Sequence, residues 1–162
     1  MIIKLASIMT VRQYLDKINN WNGEESEIKD FGLTELENLI SKNALNRSEN
    51  YFTLQALFQK SSEETTLNIE TANLISKQVG LLFLNEKEVE NVCFASSTEL
   101  RTEFRQSFRI LDLLDFIYAI LHSSIYENGV EYVNQKIPFL DDGDVFWKIA
   151  QIGNDIRKKE IQ

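Results

Sequence analysis

The stretch Ile110 to Leu121 constrains this chain more than any other. Ten of its twelve residues are apolar or aromatic, and only Asp112 and Asp115 interrupt them. A helix apolar on nearly all sides cannot lie on a surface and has to be wrapped by other elements. The run is also too short to cross a membrane, which takes about 18 or more apolar residues. A chain of 162 residues is long enough to supply that wrapping, since chains near this size bury roughly 70% of their unfolded surface. The sequence therefore predicts a mainly α, compact multi-helix domain around a buried central helix at about 110–122.

One proline and six glycines leave few interruptions, which favours long helices with short connections. A first helix is expected from Thr10 to Trp21, with Val11, Tyr14, Leu15 and Ile18 on one face. Thr34 and Glu37 form a capping-box pattern that opens a second, with Leu36, Leu39 and Ile40 inward. A third is expected over Glu49 to Lys60, capped by Ser48. Asn68 and Gly80 bracket another, with Ile69, Ala72, Ile75 and Val79 on its inner face. Ser96 and Glu99 open one more. Asp144 is expected to cap the last helix, which carries Phe146, Ile149, Ile152 and Ile156 inward and Arg157, Lys158 and Lys159 at its C-terminal end. Leu81–Leu84 is a strand candidate that can pair with Val92-Cys93-Phe94 as a small β-hairpin. Ile137-Pro138-Phe139 is extended, because proline moves its predecessor out of the α region. The polar stretch 61–66 marks the expected boundary between an N-terminal helical part, 1–66, and a second part, 67–162, within one compact unit.

Several chemistries are excluded by count. His122 is the single histidine and Cys93 the single cysteine, so a zinc site of several His and Cys ligands cannot be built. A lone cysteine forms no internal disulfide, which fits the reducing cytoplasm. The N-terminal residues are too interrupted for a signal peptide, and no transmembrane run occurs. No glycine-rich phosphate loop is present. Asp141-Asp142-Gly143-Asp144 lacks the remaining ligands of a calcium loop and reads as a solvated turn and helix cap. His122 reads as a helix-end residue and Cys93 as a buried thiol. No catalytic residue, cofactor or metal is expected, and the chain is not read as an enzyme.

Charge narrows the partners. With 17 basic and 25 acidic residues the formal charge is −8, which argues against a wholesale basic grip on nucleic acid. One local feature departs from that background. Arg101, Arg105 and Arg109 stand four apart and would line one side of a helix, a spacing at which like charges repel. They pair with Glu99, Glu103 or Asp112, or they form a ridge for phosphates or an acidic partner. Lys136 is the one outlying addition to that ridge.

The second part carries a resemblance. Leu67-Asn68-Ile69-Glu70 with Ile75-Ser76-Lys77-Gln78-Val79-Gly80-Leu81, then Asp112 to Ser123 with Tyr126, then Ile137-Pro138-Phe139, then Asp144 to Lys148 with Gly153, keep the order of motifs in one family. The middle stretch is similar to "D-x-x-x-Y-I-Y-A-x-L-H-S-P-x-Y", and the last to "F-W-x-x-x-x-x-G". In this, residues from Leu67 to near Lys159 resemble the C-terminal specificity region of single-chain type ISP and type IIG restriction–modification enzymes, which carry an adenine-specific DNA methyltransferase. Ser124 stands where that family has proline, and Lys136 where it has arginine. The family's cofactor-binding and catalytic motifs are missing. The signature residues Phe116, Ile117, Tyr118, His122, Tyr126, Pro138, Phe146 and Trp147 are expected to serve packing. The resemblance implies a non-catalytic accessory or specificity-type domain of a restriction–modification or antiphage system, which aids DNA recognition or docks onto a methyltransferase or nuclease subunit. The alternative is an acidic protein-interaction domain, an adaptor, regulator or inhibitor, with no direct DNA binding.

Overall fold

A computed structural model of the chain describes residues 11–19, 33–43, 51–60, 65–84, 106–123, 125 and 130–160. In chain order the elements are α1 (Val11–Asn19), α2 (Leu33–Asn43), β1 (Tyr51–Phe52), the one-turn α3 (Leu54–Leu57), β2 (Phe58–Lys60), β3 (Thr65–Leu67) and α4 (Ile69–Val79). There follow β4 (Leu82–Leu84), β5 (Ser107–Arg109), α5 (Ile110–Leu121), a 3-10 turn (Tyr132–Asn134), β6 (Ile137–Pro138) and α6 (Gly143–Glu160). The described chain is mostly helical.

At the centre lies α5. All twelve of its residues are buried, the two aspartates included. The longest helix, α6, packs along it, with α1 against α5 and α2 against α6. Phe116 of α5 stacks on Phe146 of α6 with ring centroids 4.9 Å apart. Phe108 of β5 meets the same Phe146 at 5.2 Å, and Phe83 of β4 meets Phe108 at 5.2 Å. Trp147 and Pro138 are buried with them. A single apolar cluster takes in Tyr14 and Ile18 of α1, Leu36 and Ile40 of α2, and the inner faces of α4, α5 and α6.

Local signals act where they stand. The Asn68 side-chain oxygen accepts from the amides of Glu70 and Thr71 at 3.0 and 3.3 Å. Gly80 closes α4 at φ 78°, a left-handed conformation that glycine adopts without a Cβ penalty. The capping box of α5 is completed from within: Asp112 Oδ2 accepts from the Arg109 amide at 2.8 Å.

Three expectations are corrected. The helix expected over 49–60 is instead strand, single turn and strand over its described residues, 51–60. Phe52, Leu54 and Leu57 still point inward, but β1 pairs with Ile137–Pro138 and β2 with Thr65–Leu67, both antiparallel. These ladders outcompete a helix for the same amides. Of the expected boundary stretch 61–66, Thr65 and Thr66 belong to β3, opposite Lys60 and Gln59, and 61–64 lie outside the described residues. The partner of β4 among the described residues is β5, parallel, with Phe83 opposite Phe108. Val92-Cys93-Phe94, the expected hairpin partner, lies outside the described residues. Ile69, placed on the inner face of α4, is 41% exposed. Finally, α6 is capped by Asp142, whose Oδ1 accepts from the amides of Asp144 and Val145 at 2.9 and 3.4 Å; Asp144 sits in the first turn. No helix among the described residues is long and apolar enough to cross a membrane.

Candidate functional site

Buried polar groups from three helices converge on Asp115. A carboxylate in the middle of an apolar helix has to find hydrogen bonds inside the protein. Asp115 Oδ1 accepts from the Tyr14 hydroxyl of α1 at 2.6 Å and from Arg157 Nε of α6 at 2.9 Å. Arg157 Nη2 reaches Oδ2 at 3.2 Å and also donates to Asn154 Oδ1 at 2.7 Å. The guanidinium lies over the Tyr14 ring, 5.3 Å from its centroid. Three helices, far apart in sequence, are thereby tied at one point.

The electrostatics follow from burial. Desolvation lifts the Asp115 carboxyl to about 6, against the opposing pull of Arg157 and the Tyr14 hydroxyl. Burial also raises the Tyr14 hydroxyl well above its ordinary value, and the neighbouring carboxylate adds to it. Asp112 is raised by burial too, opposed by its bond to the Arg109 amide. Arg157 stays a cation: Asp115 lifts it further, against desolvation.

Sequence reasoning missed this cluster. It treated Arg157 as a cation at a helix end, yet Arg157 is 7% exposed. The available signal was the pair of aspartates in the otherwise apolar α5, which demanded a buried cation somewhere in the chain.

Of the sequence-predicted binding residues, Arg109 and Lys136 are among those described. Arg101, Arg105 and the helix expected from Ser96 lie outside the described residues, as do Tyr126 and Cys93. Arg109 is not on a helix face. It ends β5 and caps α5 in an extended conformation, with Nε 3.7 Å from Asp112 Oδ2. The single helical stripe of three arginines is therefore corrected: β4 draws 107–109 into a strand so that Phe108 can be buried, and the helical spacing ends there. Lys136 has its Nζ 4.9 Å from the centre of the Tyr51 ring.

His122 is at the C-cap of α5, where its backbone amide donates to the Ala119 carbonyl at 3.0 Å. Its ring meets Tyr118 edge-on at 4.7 Å. Tyr118 in turn meets Tyr14 edge-on at 5.6 Å. No group of three or more His, Cys, Asp or Glu among the described residues is placed to hold a metal ion. Chemically the Asp115 cluster binds elements to one another, since each of its described members is buried. No family model, curated protein or solved structure matches this chain.

Proposed function

We propose that this chain is a non-catalytic, cytoplasmic accessory domain of a DNA restriction–modification or antiphage assembly, aiding target recognition by docking onto a methyltransferase or nuclease subunit. The observation that carries this reading is that the motifs behind the resemblance meet one another. Asp115 and Phe116, inside the middle motif, pack on Gly153 and Phe146 of the closing motif. Residues that resemble a family signature and also hold each other in place support a shared fold more than a shared reaction.

Docking is favoured over a direct grip on DNA by charge. The resembling part, 67–162, has 10 basic and 15 acidic residues, a balance of −5. Its described candidate cations are engaged within the protein, Arg109 beside Asp112 and Lys136 over Tyr51. The same observations favour the second reading, an acidic interaction domain acting outside any DNA-modifying assembly.

The test pairs two measurements. Coexpression with a methyltransferase or nuclease subunit encoded beside it is expected to yield a stoichiometric complex. Fluorescence anisotropy with duplex DNA is expected to show no salt-sensitive binding by the isolated chain. Failure of the complex with any such subunit, together with a stoichiometric complex with an unrelated protein, selects the second reading.

A further inference from the structure

Helix α4 turns Ala72, Ile75 and Val79 into the core. Glu70, Asn73, Leu74 and Lys77 are exposed and share the opposite face. Of the five large apolar side chains exposed among the described residues, four lie in α4 and the adjoining β4: Ile69, Leu74, Leu82 and Leu84. Single exposed apolar residues are ordinary, but a concentration of them in one helix–strand unit marks an interaction surface. We propose that this face of α4 docks on the same face of a second copy of the chain, antiparallel about a two-fold axis.

The occupant follows from the order of the charges. A two-fold interface is self-complementary: where one residue meets another, the second meets the first in return. The exposed stripe begins on an anion, Glu70, and ends two turns later on a cation, Lys77. Laid antiparallel on its own copy and centred between Asn73 and Leu74, it puts each Glu70 opposite Lys77 of the other copy. Two opposite-charge pairs then flank the Leu74 side chains at the axis. A parallel arrangement sets Glu70 on Glu70 and Lys77 on Lys77, which is repulsive. The charges therefore select direction and register together.

The bonds that hold α4 in the fold do not use the stripe's side chains. The Asn68 side chain closes the N-terminal end of the helix, and the Gly80 amide donates to the Ser76 carbonyl at 2.9 Å at the other. Thr71 Oγ1 donates to the Ala56 carbonyl at 3.0 Å. The Asp115 cluster takes no residue from α4, so this surface is separate from the candidate site and does not rest on the proposed function.

The interface is small. An 11-residue helix is about 16 Å long, and one pair of that length falls short of the ~800 Å² per partner of a standard interface. The dimer is therefore weak and concentration-dependent. The net charge of −8 opposes association at long range, and physiological salt screens that repulsion more than it screens pairs in contact.

The test is sedimentation velocity on the full chain at physiological salt, from about 1 to about 300 µM. A shift from one chain toward two is expected within that range. Glu70→Lys and Lys77→Glu each set two like-charge pairs across the axis and are expected to weaken dimerisation at least ~10-fold. An equimolar mixture of these two variants regains both opposite-charge pairs, and so does the double variant with itself; each is expected to dimerise about as the wild type does. Both charges also suit the dipole of their own helix, but a purely local role of that kind is not rescued by mixing. Leu74→Glu is expected to abolish the dimer, with circular dichroism and the urea midpoint close to wild type because the position is exposed. A monomer throughout the concentration range, a dimer indifferent to these changes, or charge reversals that the mixture does not rescue overturns the proposal. So does a monomer whose Leu74→Glu variant loses the complex with a methyltransferase or nuclease subunit, which assigns the face to a different partner.

Discussion

Gly153 approaches Asp115 so closely that a Cβ on the glycine would stand 1.9 Å from the Asp115 carbonyl oxygen. The helices α5 and α6 touch backbone to backbone at this point, and the contact sets the height at which Arg157, one turn further along α6, meets the Asp115 carboxylate.

Gly153→Ala is therefore expected to destabilise the fold by about 3 kcal/mol or more, because backbone cannot swing aside as a side chain can. Gly143→Ala is the control. Its Cβ would meet the tip of the Leu81 side chain, 2.9 Å away, which can rotate. A shift within about 1 kcal/mol is expected there. Urea unfolding of the two variants measures both.

Arg157→Met leaves the Asp115 carboxylate buried without a cation. The expected loss is about 3–5 kcal/mol at pH 8. At pH 5 the carboxyl can take a proton instead, so the loss is smaller. Parallel unfolding curves at the two pH values check the difference.

Asp115 also gives the wild-type protein a pH dependence of definite sign. Its folded value of about 6 stands above the unfolded value. The stability it contributes is complete below about pH 4 and is lost as pH rises through 6, by up to ~3 kcal/mol. Asp112, raised as well, adds in the same direction. Asp115→Asn removes the Asp115 share. Relative to wild type, the variant is expected to gain stability between pH 4 and pH 7.5, read from urea midpoints.

Helix α4 is held at both ends by local devices. Asn68→Ala is expected to cost about 1 kcal/mol through the two lost cap bonds. Gly80→Ala is expected to cost about 1 kcal/mol because its φ of 78° disfavours a Cβ, although nothing crowds the site. Thermal unfolding of each variant checks these values.

Arg109→Gln and Lys136→Gln each remove one candidate DNA contact. Each is expected to change stability by about 1 kcal/mol or less. If the chain works by docking, neither alters anisotropy with duplex DNA at low salt. A loss of DNA affinity in either variant would instead restore the phosphate-binding reading.

The helix patterning was legible because it rests on short spans. Val79 and Gly80 mark the end of α4 from within four residues of chain, and Ile110–Leu121 declares its own burial. The pairing of the strands was not legible. Tyr51–Phe52 has no local reason to prefer Pro138 and Ile137, and Leu82–Leu84 could not name Ser107–Arg109 as its partner across the intervening residues. The Asp115 cluster was hidden for the same reason, since Tyr14 and Arg157 lie 101 and 42 residues away from it.

By itself the sequence determined that this is a mainly helical chain with α5 at its centre, because apolar periodicity, caps and a scarcity of breakers act over a few residues. Only the tertiary structure decided which cation answers Asp115, why Gly153 must lack a side chain, and that Arg109 ends a strand. Those outcomes depend on which distant groups are brought together, and burial gives a lone carboxylate no alternative but to find them.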